Sequence, residues 1–212
     1  RLGFELETQT ALLLKQDIPM LDTISGDRMR HELELIFREK HPEFVIKRLA
    51  ELGALQRISS SLSGDGWIVE KFAKARQLSK PNQLPSLYFC LLTYPRSQRE
   101  IEQFLRRLNI SAKLSRAMCD TLRLTTKLSL LDKPSLKPSE IYYLLHEYDP
   151  LAIQANAVAS ESSMVHYHLQ LFLTKLRYIR TSLNGEELKR LGISAGPEMG
   201  KVLQILHKAR LD

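Results

Sequence analysis

Apolar residues recur at helical spacing along this chain from one end to the other, and no stretch alternates apolar with polar for long enough to make a strand. That single pattern restricts the fold to helix packed on helix, an all-α class. Proline and glycine divide the pattern into segments. Ala11, Leu12, Leu14 and Ile18 predict a first helix that stops at Pro19. Met29, Leu33, Ile36 and Phe37 form the inward stripe of a second, with Arg30, Glu34 and Arg38 outside. Pro42 opens a third that buries Val45, Ile46, Leu49 and Leu52 and stops at Gly53. Residues 59–66 read as a loop and 67–78 as a helix, and after Pro81 comes an apolar helix built on Leu84, Leu87, Tyr88 and Leu91. Two basic amphipathic helices are expected over 97–108 and 111–131. Pro138-Ser139-Glu140 starts another, carrying Ile141, Leu144 and Leu145, and Asp149-Pro150 a further one. The longest is expected over 160–183, with Leu169, Phe172, Leu173, Leu176 and Ile179 inward.

Charge is placed unevenly. The net charge of +7 is the sum of −1 over residues 1–60, +2 over 61–95, +6 over 96–137, −4 over 138–172 and +4 over 173–212. Basic blocks on either side of an acidic one suit a surface that meets a polyanion at two places, although a soluble basic protein without nucleic acid has the same arithmetic. Few aromatic residues are interleaved with the cations, which favours contact with a duplex backbone over stacking on single-stranded bases. Arg99, Arg106, Arg107, Lys113, Arg116 and Arg123 carry the stronger basic block. With 212 residues the chain can bury a substantial core, as one elongated unit or two smaller ones.

Residues that do chemistry are sparse. Cys90 and Cys119 are isolated thiols without a CxxC spacing, so they support neither zinc nor redox chemistry and fit a reducing, cytoplasmic setting. His166 and His168 stand two apart, which on a helix aims them in different directions and makes them a poor metal pair. Ser160, Ser162 and Ser163 suit a helix start better than a nucleophile site. No catalytic residue and no metal ligand is assigned. No apolar run approaches the ~20 residues that span a bilayer, so no membrane partner is expected.

The most specific string lies near the end. Leu183-Asn184-Gly185-Glu186-Glu187-Leu188-Lys189-Arg190-Leu191-Gly192-Ile193 reads as a short helix with a glycine stop. Ser194-Ala195-Gly196-Pro197-Glu198-Met199-Gly200-Lys201 then reads as a tight connector into a second helix. A helix start offers free N–H groups and partial positive charge, so Gly196 with Lys189, Arg190 and Lys201 could hold a phosphate. A tight corner with a solvated basic face has the same sequence.

That string resembles the C-terminal end of bacterial tRNA nucleotidyltransferases, the CCA-adding and poly(A) polymerase family, in which Gly-x-(Asp/Glu)-Leu-x-x-Leu-Gly leads to Gly-Pro-x-x-Gly and a closing helix ending near Leu-Asp, here Leu211-Asp212. Arg1-Leu2-Gly3-Phe4 and Ile24-Ser25-Gly26-Asp27-Arg28-Met29-Arg30-His31-Glu32-Leu33 are similar to the family's neck, and Leu49-Ala50-Glu51-Leu52-Gly53-Ala54-Leu55 to the step into its body. The resemblance is weakest between about residues 60 and 136. It implies an elongated array of neck and start of body (1–58), helical body (59–148) and helical tail (149–212). It further implies a parent enzyme that adds CMP or AMP, as CCA, CC or A, to tRNA 3′ ends, using ATP or CTP with Mg²⁺ held in a head domain. Poly(A)-type 3′ adenylation is the nearest alternative. A non-catalytic helical scaffold or a stand-alone RNA-binding module is the alternative of another class.

On this resemblance the chain begins within the neck, past the segment that selects the nucleotide, and grips the elbow and acceptor stem of tRNA. Arg28 and Glu32 match the family's neck Arg and Glu. At i and i+4 they suit either a surface ion pair or a brace for the nucleotide site. The chain has no Asp-x-Asp pair to hold Mg²⁺, so the chain alone is expected to lack transferase activity.

Overall fold

The computed structural model describes residues 7–94 and 96–212, and the Arg1-Leu2-Gly3-Phe4 match lies outside them. The described residues form thirteen α-helices and four short 3-10 helices with no strand among them, so the all-α expectation is borne out. The chain divides into two compact units, Arg1–Arg123 and Leu124–Asp212.

In the first unit α1 (Thr8–Asp17) starts at Glu7, whose carboxylate accepts from the Thr10 N–H at 3.0 Å. It buries no side chain, and it ends two residues before Pro19 because Ile18–Thr23 tighten into a 3-10 helix. Ser25 caps α2 (Gly26–Ile36), Pro42 opens α3 (Pro42–Glu51), and the chain turns at Gly53 into α4 (Ala54–Ile58). Asp65 caps α5 (Gly66–Leu78), and α6 (Leu84–Leu92) follows.

Six consecutive residues of α6, from Leu87 to Leu92, are buried. A helix apolar on all sides has to be enclosed, and this one is the axis of the unit's core. Phe37 meets Phe89 edge-on with centroids 4.8 Å apart, and Phe72 stacks on Tyr88 at 4.3 Å. Full burial of each such ring is worth about 1.5–3 kcal/mol.

Beside the rings sits Glu43, only 2 % exposed, with Arg76 gripping both carboxylate oxygens at 2.8 and 2.9 Å. Burial pushes this carboxyl upward, but the Arg76 hydrogen bonds, its own backbone N–H and His41 outweigh that and hold it below the ordinary range. Leaving such a charge unpaired costs about 3–5 kcal/mol, so the pair fixes α3 against α5.

A capping box between Ser97 and Glu100 starts α7 (Gln98–Arg107), and α8 (Ala112–Thr125) follows the left-handed Asn109 at φ 48°. The end of α7 is fastened to the start of α2. Arg107 donates to the carbonyls of Leu21 at 3.1 Å and Ile24 at 3.2 Å. The Asn109 amide reaches Asp27 at 3.1 Å, and Arg30 donates to the Asn109 carbonyl. Gly26 lies so near the Arg107 carbonyl that a Cβ would overlap it.

In the second unit a 3-10 helix (Leu128–Leu131) precedes α9 (Pro138–Leu145), α10 (Pro150–Ala159) and α11 (Ser163–Thr174). After another 3-10 helix (Leu176–Tyr178) come α12 (Gly185–Arg190) and α13 (Pro197–Leu211). The nearly all-buried α10 fills the centre. Ile141, Leu145, Ile153, Leu169, Phe172 and Leu176 pack in one cluster with it.

Two helices expected from spacing are shorter in the structure. The helix expected over 111–131 ends at Thr125, whose hydroxyl donates to the buried Asn156, and Leu131 enters the core from a 3-10 turn. The helix expected over 160–183 ends at Thr174, where Lys175 adopts φ −128° and ψ −65°, and Leu176 is buried from a 3-10 turn. The longest helix is therefore α13, at 15 residues.

Replacing Gly26 by Ala should lower the melting temperature sharply, whereas Gly66→Ala, with open space around its Cβ, should not; equal effects in thermal melts would contradict the close approach. The Glu43 carboxyl, depressed in the folded state, contributes stability above its unfolded pKa of ~4.3, and that contribution is lost as pH falls through the lower folded value. Glu43→Gln should lower stability at neutral pH and make its decline in acid shallower, as read from urea midpoints between neutral and acidic pH.

Candidate nucleic-acid interface

The basic helices of the first unit divide their cations by task. Arg99 and Arg106 share one stripe of α7, two turns apart, and both are exposed. Arg106 bonds only back to its own helix, at the Glu102 carbonyl, 3.3 Å away. Lys113, Arg116 and Arg123 are exposed along α8. The last two lean on Asp120, at 4.0 and 2.9 Å, and this carboxylate is itself only 3 % exposed. Such pairing orients the guanidinium groups without neutralising the block, since one carboxylate serves two cations. Arg107 points elsewhere: it is half-buried and engaged by the carbonyls of Leu21 and Ile24.

The corner near the end forms as its punctuation implies. The Asn184 side chain accepts from the N–H groups of Glu186 and Glu187 at 2.9 and 3.1 Å, and Glu187 returns a bond to the Asn184 N–H at 2.7 Å. Gly192 and Ile193 close α12 with N–H bonds to Lys189 and Leu188. Gly196 then adopts φ 156° and ψ −170°, which side-chain-bearing residues rarely reach, and Pro197 begins α13 with no side chain capping it. Gly196, Pro197, Gly200 and Lys201 are all exposed at this start, while Met199 is buried and seats the helix. Lys189 is paired with Glu186 at 2.7 Å, and Arg190 is exposed. Glu198 lies in the same first turn, so an anion would have to approach from the Lys201 side. At the other end of α13, Asp212 accepts from the Ser139 N–H at 2.9 Å and hydroxyl at 3.0 Å, and these bonds, the N–H first, hold its carboxyl below the usual range.

Arg28 and Glu32 are both exposed and make no ion pair with each other. They stand instead at an apolar groove of about 440 Å³ that Leu14, Ile18, Met29 and Leu52 also line. Among the described residues the ion pairs of α2 belong to Arg30, with Asp27 at 3.1 Å and Glu34 at 3.5 Å. Spacing places Arg30 on the outside of α2 and gives Asn109 no role; the signal available was the Ser25-Gly26-Asp27 start followed by arginines. His166 and His168 diverge, to the carbonyls of Ala157 and Leu131, each at 2.8 Å. Burial first, then Asp120, pushes the Cys119 thiol upward, and neither Cys90 nor Cys119 is in a disulfide. Among the described residues no group of three or more His, Cys, Asp or Glu side chains could hold a metal ion, and no helix is long and apolar enough to cross a membrane.

The chain is similar to known proteins in both sequence and fold. Residues 3–63 match the family described as the probable RNA- and SrmB-binding site of polymerase A. Over 230 aligned positions the chain is 27 % identical to an A-adding tRNA nucleotidyltransferase of Geobacter sulfurreducens, covering 100 % of this chain and 26 % of that protein. The fold is that of a CCA-adding enzyme solved with CTP, at a TM-score of 0.77 and 22 % identity over 100 % of this chain and 53 % of that one. The Thermotoga maritima CCA-adding enzyme complexed with tRNA gives 0.74 and 20 %, over 100 % and 54 %. The chain thus spans about a quarter of the curated relative and about half of the solved chains. The resemblance read from the sequence is borne out along the whole chain.

Gly196→Ala should lower the stability of the second unit by roughly 1–3 kcal/mol through its backbone angles. Gly200→Ala, inside α13 with nothing near its Cβ, should raise it by about 0.5–1 kcal/mol. Thermal melts of the two variants giving the same sign would show that the corner is built differently.

Proposed function

Because the chain is related along its length to the tRNA nucleotidyltransferase and poly(A) polymerase family, we propose that it is the tRNA-gripping portion of an enzyme that adds CMP or AMP to tRNA 3′ ends. The observation that carries this reading is the division of labour among the cations. Arg107 is consumed in fastening α7, while Arg99, Arg106, Lys113, Arg116 and Arg123 face outward on α7 and α8. In this reading they contact phosphates of the tRNA elbow and acceptor stem. Lys189, Arg190, Lys201 and the open start of α13 at Gly196 make the second grip.

The division into neck and start of body (1–58), body (59–148) and tail (149–212) is then one of task. Arg28 and Glu32 brace the nucleotide site from the rim of the apolar groove. A head domain supplies the carboxylate pair, the Mg²⁺ and the residues that select ATP or CTP, in a cytoplasmic enzyme. The described residues of this chain do not offer a metal such a site. The apolar groove beside α2 favours a second reading, a helical scaffold that holds a protein partner.

Salt separates the two. Binding of tRNA should weaken steeply with added salt, and the triple reversal Arg99→Glu, Arg106→Glu, Lys113→Glu should weaken it for all tRNA sequences alike. It should also flatten the slope of log affinity against log salt by about 2–3. Lys201→Ala should give a milder loss. Unchanged affinity in filter binding, with helicity intact by circular dichroism, would leave these cations as a solvated face and favour the scaffold.

A further inference from the structure

The second unit holds a ring-lined cleft that neither the basic blocks nor the α13 corner accounts for. Tyr142, Tyr143 and His146 come from α9, Arg180 and Asn184 from the segment that leads into α12, and His207 from α13; together they line a space of about 520 Å³. Sites that take small organic ligands span roughly 300–1,000 Å³.

The rings are arranged as a platform. Tyr142 and His146 lie nearly parallel, 5.3 Å apart with 16° between their planes. His207 meets Tyr142 edge-on at 4.6 Å. Its Nε2 is bonded to the Ile179 carbonyl at 3.1 Å, which fixes the ring. The Tyr143 hydroxyl donates to the Gln204 carbonyl at 3.4 Å and keeps its oxygen able to accept. Tyr142 is anchored on Phe172 at 5.9 Å, so the platform rests on the core. His146 itself is exposed. Arg180 is exposed and lines the same space.

Rings that only completed the core would leave neither an exposed imidazole stacked on a tyrosine nor an exposed arginine lining the same space. We propose that this cleft takes an unstacked nucleobase of a bound RNA, with the base on the His146 ring, the Tyr143 ring edge-on beside it at 5.7 Å, and the adjoining phosphate on Arg180. Every base has a face that can stack, and a guanidinium lining the cleft supplies the charge for its backbone. The inference rests on the tRNA-binding reading and adds to it a contact with a base where the sequence suggested backbone contact alone.

The test uses the full chain with two probes, tRNA carrying 2-aminopurine at an unpaired elbow position and a short single-stranded RNA carrying the same base. Binding should quench the 2-aminopurine in both. His146→Ala should relieve the quench and weaken the single strand by about tenfold, in keeping with one lost stack, while His146→Phe retains it. Arg180→Ala should weaken binding and leave the residual quench. If tRNA binds in a cation-dependent way but its fluorescence is unchanged, or the quench survives His146→Ala, the cleft proposal is overturned and the tRNA reading stands. A quench of the single strand that depends on His146, without tRNA binding, supports the cleft and sinks the tRNA reading. Failure to bind either RNA sinks both.

Discussion

The first unit depends on one approach that only a residue without a side chain permits. The backbone of Gly26 comes up against the carbonyl of Arg107, and from that contact the other bonds follow. Arg107 can reach back to Leu21 and Ile24, Asn109 can reach Asp27, and Arg30 can reach Asn109, all because α2 and α7 are already in register. Residues more than seventy positions apart in sequence are thereby joined by directional bonds at the unit's rim, while α6 and the rings of Phe37, Phe72, Tyr88 and Phe89 provide the non-directional attraction inside it.

This arrangement uses charge in two distinct ways. Glu43 with Arg76 and Asp120 with Arg123 have their carboxylates almost out of water, where position is fixed and removal of a partner is expensive. Arg99 and Lys113 are exposed on their helices, in high dielectric, where a charge costs little and is available to a ligand. The distinction separates scaffold from surface within a chain whose formal charge gives no hint of it. Arg106 and Arg107, adjacent in sequence, fall on opposite sides of that line because a helix turns by about 100° per residue.

Helix class, the punctuation at Pro42, Pro138, Pro150 and Gly196-Pro197, and the sense of the α12–α13 corner were legible from spacing alone, since each rests on local backbone chemistry. The ends of two helices were not. Leu131 and Leu176 continue a helical spacing while sitting in 3-10 turns, and an apolar residue can reach the same core from either geometry. The candidate site was legible where it is local, as in Arg99, Lys113 and Lys201 on exposed faces. It was not where it depends on distant partners. Nothing in the neighbourhood of Arg107 distinguishes it from Arg106 until Leu21 and Ile24 are in place. Arg28 and Glu32 have the right spacing to pair, yet both turn to the groove. Tyr142, Tyr143 and His146 carry no signal of a cleft in sequence, because one of its rings, His207, stands more than sixty positions further along.

The helix α13 has a consequence of its own. It starts at Gly196-Pro197 with Lys201 one turn along, carries His207 past its middle, and its end is tied to Ser139 on α9 by Asp212. A straight helix rises 1.5 Å per residue, so Gly196 and His207 stand about 16 Å apart, and that distance cannot vary without breaking backbone bonds. In the proposed binding mode the helix is therefore a ruler. An anion seated at its start and a base inserted beside His207 would have to present this separation, so geometry would select among polyanions before any single contact is weighed.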